Sequence, residues 1–317
     1  MPLSLLDKPL LYVTGKGGVG KTTVAASLGV AAAQRGRTTL VCEVADQDRV
    51  SRSFAPGGEP ALGDGEVQLD ENLWALSIDP EEALEEWLGR QLGSTAMVAV
   101  LAKSQAFQYF IAAAPGAREL ITIGKIWDLA QGTNGGRRQR VYDTIVVDAP
   151  ASGHGVAMLR TPQTFAEIAR VGPVRRQAEK VFHWLKDPAR TGYVAVALPE
   201  EMPVNETIEL ERGIAEAVGL DLDAVIVNAV LPQRLDKEDV SRLTSALVDG
   251  GLTAQARRAV EAALGEDGRV RKQGEQIERL RERVTVPLVT LPQLPEPNLD
   301  VHTYRRLAAD LDRALGR

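Results

Sequence analysis

A single cysteine, Cys42, stands in 317 residues, which excludes an internal disulfide and any cysteine-rich metal site within one chain. Even two copies together offer only two thiolates, too few for a Cys₄ zinc or an iron–sulfur bridge. Long apolar runs are missing as well. The stretch "STAMVAVLA" (94–102) is far short of the roughly 20 residues that span a bilayer. The opening "MPLSLLDKPL" has no basic segment followed by an apolar one, so no secretory signal is expected and the cytoplasm is the expected location. A net charge of −6 gives no global attraction to DNA or anionic lipid, and no nucleic-acid partner is expected. No internal repeat and no low-complexity tract occurs.

What is present is an ordinary globular composition, 44% apolar and 25% charged, on a chain long enough for a sizeable core. Short β-rich runs alternate with helical stretches: 10–14, 38–44, 73–78, 142–148, 193–198, 223–228 and 286–291. These runs are bulky and apolar on both alternations, as strands are when both faces are covered. The pattern predicts an α/β fold, a mostly parallel doubly wound sheet with helices on both faces. Helical blocks over about 80–131 and 172–190 predict a helical subdomain inserted into one domain of residues 1–317. In the first of these, Asp79, Pro80 and Glu82 have the spacing of a capping box. The Arg/Glu-rich segment 253–283 predicts a solvated helical pair broken near "GEDG".

The motif that carries chemistry is "GKGGVGKT". Residues Gly15, Lys16, Gly17, Gly18, Val19, Gly20, Lys21 and Thr22, followed by Thr23, fit G-x-x-x-x-G-K-[ST] after a strand and before a helix. Glycines let consecutive N–H groups turn inward around phosphates, and the helix N-terminus adds to the attraction. Lys21 is expected to reach the β- and γ-phosphates and Thr22 to offer its hydroxyl to Mg²⁺. Asp148 ends an apolar strand, where its carboxylate would hold Mg²⁺. The chain has no N-K-x-D guanine reader, which favours ATP.

Lys16 is one lysine more than such a loop needs. "KGGVGKTT" resembles the deviant Walker A of the P-loop ATPases related to MinD, ParA and the nitrogenase iron protein. The resemblance implies a homodimer in which Lys16 crosses to the partner's nucleotide and neutralises charge on the transferred phosphoryl. The stretch "DAPASGHGVAMLRTP" (148–162) resembles switch II of the arsenite-pump (anion-transporting) ATPase family, which includes the ATPase targeting tail-anchored membrane proteins. That implies that Ser152 and Gly153 sense the γ-phosphate and that His154 couples the loop to a partner. Weaker matches extend over about 8–315: "APGARELITIGKIWDLA" (114–130), "LPEEMPVNETIELER" (198–212), "VIVNAVLP" (225–232) and "VTLPQLPEPNLD" (289–300). By resemblance Glu206 approaches nucleotide across the dimer, Asn228 bonds adenine, and the segment with Pro292 wraps the base.

The pattern departs at switch I, "LVCEVADQDRVSRSF" (40–54). Ala45 falls where the family has a water-orienting aspartate, leaving Asp46 first, Asp48 second and Glu43 also available. With four methionines the Met-rich client groove of the tail-anchored branch is not reproduced, although 97–114 is apolar enough to line one. The expected function is therefore an Mg-dependent ATP hydrolase, switched as a homodimer and coupled to an unknown protein or membrane client. The alternatives are a positioning ATPase like MinD or ParA, with 304–317 as a superficially similar tether, and a client-binding targeting factor of the tail-anchored type.

Overall fold

The computed structural model describes residues 4–44, 49–55, 65–92, 104, 116–134, 137–138, 141–169, 171–295 and 299–316. The first half runs β1 (Leu10–Gly15), α1 (Lys21–Gln34), β2 (Thr39–Val44), α2 (Arg49–Phe54), β3 (Val67–Asp70), β4 (Leu73–Ile78), α3 (Pro80–Leu92) and α4 (Ala117–Ala130). A two-residue hairpin, β5 (Thr133–Asn134) and β6 (Arg137–Arg138), precedes β7 (Thr144–Ala151), α5 (Ser152–Ile168) and α6 (Pro173–Leu185). The chain then continues through β8 (Thr191–Ala197), α7 (Glu201–Val218), β9 (Ala224–Val230), α8 (Lys237–Asp249), α9 (Ala254–Arg283), β10 (Leu288–Pro292) and α10 (Val301–Leu315).

Eight strands form one sheet in the order β10-β9-β8-β1-β7-β2-β4-β3. Every pairing is parallel except the antiparallel β3·β4 edge. The expected doubly wound α/β sheet is present, with β3 an edge strand that the periodicity had not marked. Its alternation is partly exposed, so it lacks the continuous apolar run of the central strands.

The apolar-on-both-alternations signal has a direct physical meaning here. Leu10 and Tyr12 of β1 enter one core with Cys42, Ile145 and Val147. Leu11 and Val13 enter the other with Val41, Val146 and Val194. The second core is closed by α1 and α10, whose Leu307, Leu311 and Leu315 are buried in it. The apolar stripe of 304–317 is thus spent on the sheet side of the molecule, which removes it as a surface for lipid. On the opposite face α3, α4, α5 and α6 pack on one another. A cavity of about 210 Å³ lies among them, lined by Leu84, Trp87, Leu120, Ile121, Phe165 and Val181. The apolar stretch 97–114 lies outside the described residues except for Ser104.

Two local expectations change. The segment 253–283 is not a broken pair: α9 runs unbroken from Ala254 to Arg283. Its two glycines near the expected break, Gly265 and Gly268, face open space and weaken the helix by only about 1 kcal/mol each. Against that stand an Arg271–Asp267 pair one turn apart at 3.0 Å and the burial of Ile277 and Leu280. Asp79 caps α3 as expected, accepting from the Glu81 N–H at 2.7 Å. No helix among the described residues is long and apolar enough to cross a membrane.

Because Leu311 is fully buried, Leu311→Ala should lower the unfolding free energy by about 2–5 kcal/mol. Urea denaturation measures this; a loss below about 1 kcal/mol would mean that α10 is not part of the cooperative core.

Candidate functional site

Three adjacent strands set the site. In the parallel register, Asp148 of β7 is level with Val13 of β1 on one side and Glu43 of β2 on the other. The strands therefore deliver their carboxyl ends to one edge, where the Gly15–Thr22 loop turns into α1. Gly15 and Gly20 are the tight points of that turn, and a Cβ on Gly15 would fall 2.2 Å from the Val196 carbonyl oxygen. Gly20 is held from the other side. Its φ is +91°, and a Cβ there would fall 2.2 Å from Asn228 Nδ2, so only glycine fits. Asn228 in turn donates to the Val19 carbonyl at 2.9 Å.

Lys21 folds back into the loop and donates to the Lys16 carbonyl at 2.9 Å. Burial lowers its pKa; the Asp148 carboxylate opposes that fall and the Arg49 charge adds to it. Thr22 Oγ1 donates to Asp148 Oδ2 at 2.6 Å. Burial raises the pKa of Asp148, while the Thr22 bond, Lys21 and Arg49 hold it down. The other carboxylate oxygen, Oδ1, is buried without a hydrogen-bond partner. A hydroxyl beside a carboxylate with one unused oxygen, next to a phosphate loop, fits a hydrated Mg²⁺, which takes few protein ligands and shares phosphate oxygens.

Lys16 behaves differently from Lys21. Its ammonium lies 2.5 Å from Glu206 Oε1 of α7, and both side chains remain about one-third exposed at 32% and 29%. A partly exposed pair of this kind contributes about 0–1 kcal/mol, so it can be exchanged for a stronger partner. Lys16 and Glu206 are thus brought together within one chain, a contact that their separation of 190 positions does not announce.

Ser152, Gly153 and His154 form the first turn of α5, directly after β7, and His154 is exposed. That turn is tied to β1. Tyr12 Oη donates to the Gly155 carbonyl at 2.9 Å, and Thr14 Oγ1 donates to the Pro150 carbonyl at 3.2 Å. A Cβ on Gly155 would come within 2.7 Å of Thr14 Oγ1. Pro292 lies exposed at the end of β10, level with Val230 and two residues beyond Asn228 on the neighbouring strand. Asn228 and Pro292 are therefore neighbours at one end of the sheet.

Asp46 and Asp48 lie outside the described residues. The third carboxylate of that run, Glu43, is engaged: its Oε1 and Oε2 accept from the N–H groups of Arg49 and Val50, each at 3.0 Å. Sequence reasoning assigned no role to Glu43's contacts, to Tyr12 or to Arg49. Only Glu43 carried a signal, an acid inside an apolar strand that is 2% exposed.

Burial raises the pKa of Asp148, so its charge opposes folding once the pH exceeds that raised value. The penalty is full above the folded pKa and disappears as the pH falls below the ordinary aspartate value of about 3.9. Asp148→Asn should therefore raise the urea midpoint of the ligand-free protein at neutral pH. The gain should shrink as the pH is lowered toward about 4; a midpoint that falls at neutral pH would contradict the sign.

The comparisons with known proteins agree with this geometry. The family model described as anion-transporting ATPase matches residues 9–172 and 166–246. ATPase BagA of Mycobacterium tuberculosis is 32% identical over 250 residues, covering 78% of this chain and 73% of that protein. ATPase GET3 of Kluyveromyces lactis is 27% identical over 265 residues, covering 72% of this chain and 74% of that one. ATPase ARSA1 of Chlamydomonas reinhardtii is 26% identical over 312 residues, covering 78% of this chain but only 39% of its own length. With a phosphate loop built on a parallel sheet and more than half its length matched, this chain belongs to the anion-transporting ATPase family and is an ATPase.

Proposed function

We propose that the protein is an Mg-dependent ATP hydrolase that works as a nucleotide-switched homodimer, coupling ATP binding and hydrolysis to a protein or membrane client. The observation that carries the dimer is the division of labour between the two lysines. Lys21 is turned into its own loop, whereas Lys16 is held at the loop's edge by a weak, partly exposed bond to Glu206. A lysine so placed is free to leave Glu206 for a partner's nucleotide at little cost.

In this reading Gly15–Thr23 cradle the phosphates and Lys21 neutralises them, with Asn228 and Pro292 bounding the base. Thr22 and Asp148 would hold Mg²⁺, which when bound would supply neutralisation of phosphate charge. Asp46 or Asp48 orients water. The water oxygen bonds to the γ-phosphorus as the bond to the β–γ bridging oxygen breaks, ADP keeps that electron pair, and the water's protons pass to phosphate and solvent. Lys16 of each subunit meets the charge that develops on the partner's phosphoryl group. Ser152 and Gly153 respond to the γ-phosphate, and His154 and Glu206 carry the response to the partner subunit.

The whole chain is read as one ATPase unit. Its helices α3, α4 and α6 are the part that meets the client, a reading supported by the apolar cavity between them. A MinD-like membrane tether at α10 is disfavoured because its leucines are buried against α1.

Turnover per subunit, measured with Mg-ATP across a range of protein concentrations, tests the reading. Wild-type turnover should rise with concentration. Lys16→Ala should keep ATP binding while losing turnover by about 10²–10³-fold. A concentration-independent rate, unchanged in the variant, would sink the dimer.

A further inference from the structure

Tyr12 and Thr14 are alternate residues of β1, so their side chains leave the same face of the sheet. Both are fully buried, and both end in a hydroxyl. Neither hydroxyl serves its own strand. Tyr12 Oη donates to the Gly155 carbonyl at 2.9 Å, and Thr14 Oγ1 donates to the Pro150 carbonyl at 3.2 Å. These two acceptors bracket Ser152 and Gly153, where α5 starts. Burial raises the pKa of the Tyr12 phenol, which keeps it protonated and a donor.

The two bonds fall where the strand ladder is interrupted. Val13 is level with Asp148, but Gly15 is level with Ala151, so β7 carries one residue more than β1 over this step. Such a bulge bends the strand and breaks the regular hydrogen bonding locally. The chain enters the turn directly from this irregularity, beside Gly15, where the phosphate loop begins. Gly155 permits the close approach, because a Cβ there would come within 2.7 Å of Thr14 Oγ1 and 3.0 Å of the Pro150 carbonyl oxygen. Where the ladder no longer sets the spacing, two hydroxyls and one glycine set it.

We propose that Tyr12 and Thr14 are positioning residues of the ATPase, their hydroxyls holding the Ser152–Gly153 turn at the distance from the phosphate loop at which it meets the terminal phosphate. The proposal rests on the reading of Ser152 and Gly153 as the residues that respond to the γ-phosphate. It adds that the turn takes its place from the strand that carries the loop, so that loop and turn form one prearranged unit. Groups held in place beforehand need not be ordered when the ligand binds. ADP has no γ-phosphate to meet the turn, so its binding is indifferent to the turn's placement.

The test uses the full chain with Tyr12→Phe, Thr14→Val, Thr14→Ser and Ser152→Ala, and with Tyr193→Phe as a control. Tyr193 packs edge-on against Tyr12, ring centroids 6.0 Å apart, but its Oη donates to the Leu185 carbonyl at the end of α6 rather than to the turn. Calorimetric binding of Mg-ADP and of a non-hydrolysable ATP analogue with Mg²⁺ is measured beside kcat and the thermal midpoint. Tyr12→Phe and Thr14→Val should each weaken the analogue by about three- to tenfold, as loss of one hydrogen bond does, and ADP by less than about twofold. Their kcat should fall by about tenfold or more. Thr14→Ser keeps the donor and should keep the wild-type ratio of analogue to ADP affinity. Ser152→Ala alters the turn itself and should lower that ratio. Tyr193→Phe should cost stability through the same kind of lost bond and leave the ratio unchanged.

Equal loss of both ligands in Tyr12→Phe and Thr14→Val overturns the proposal. So does a serine variant that behaves like the valine one, or a control that shifts the ratio as far. Tyr12→Phe and Thr14→Val remove separate donors to one turn, so either one that folds carries the test. If Ser152→Ala alone lowers the ratio, the turn meets the phosphate without help from β1, and only the proposal fails. If no variant moves the ratio, Ser152→Ala included, the underlying reading of the turn fails with it.

Discussion

The register that sets Val13, Asp148 and Glu43 side by side is the constraint on which the site depends. Parallel strands point their carboxyl ends to one edge of the sheet, and ligands of such sheets bind beyond that edge. Because the three strands end together, one loop from β1, one acid from β7 and one helix start from β2 converge on the same small volume. The Thr22–Asp148 hydrogen bond joins the first two, and the Glu43 carboxylate joins the third. A slip of one residue in either pairing would move Asp148 to the other face of the sheet.

Burial makes this convergence electrostatically costly. Asp148 is driven toward its neutral form and Lys21 toward its own neutral form, in both cases mainly by burial. Asp148 keeps one oxygen without a partner. Under the proposed reading, a phosphate would add an opposite charge facing Lys21 and a divalent cation one facing Asp148. The rest of the fold holds them in place through two apolar cores, one on each face of the sheet, and through the close contacts at Gly15 and Gly20. The Lys16–Glu206 pair differs from all of this in being partly exposed, and so weak.

The two faces of the sheet differ in kind. Under α1 and α10, Arg35, the residue that follows α1, bonds to Asp312 of α10 and to the Gly316 carbonyl. On the other face, α3, α4 and α6 enclose an apolar cavity and bury the Asp128 carboxylate in a pair with Arg90. Tyr12 and Thr14 reach from β1 into the start of α5. A displacement of that turn would therefore be felt on the helical face rather than under α1.

The sequence by itself determined the sheet and the phosphate loop. Strands covered on both faces must be apolar at every position, and a phosphate cradle needs glycines and a lysine at invariant spacing; both are written locally. It also marked Asp148 at a strand end and the switch-like turn at Ser152–His154. Other features were decided only by tertiary structure, because they join residues that no local rule connects. Lys16 meets Glu206, Tyr12 meets Gly155, and α9 stays whole because distant packing and its own ion pairs outweigh its three glycines. Glu43 was legible as an odd acid in a strand, but its partners depended on where α2 returned. That return is set by burial of Val50 and the stacking of Phe54 on Tyr304, contacts between segments about 250 positions apart, for which a linear pattern carries no physical signal.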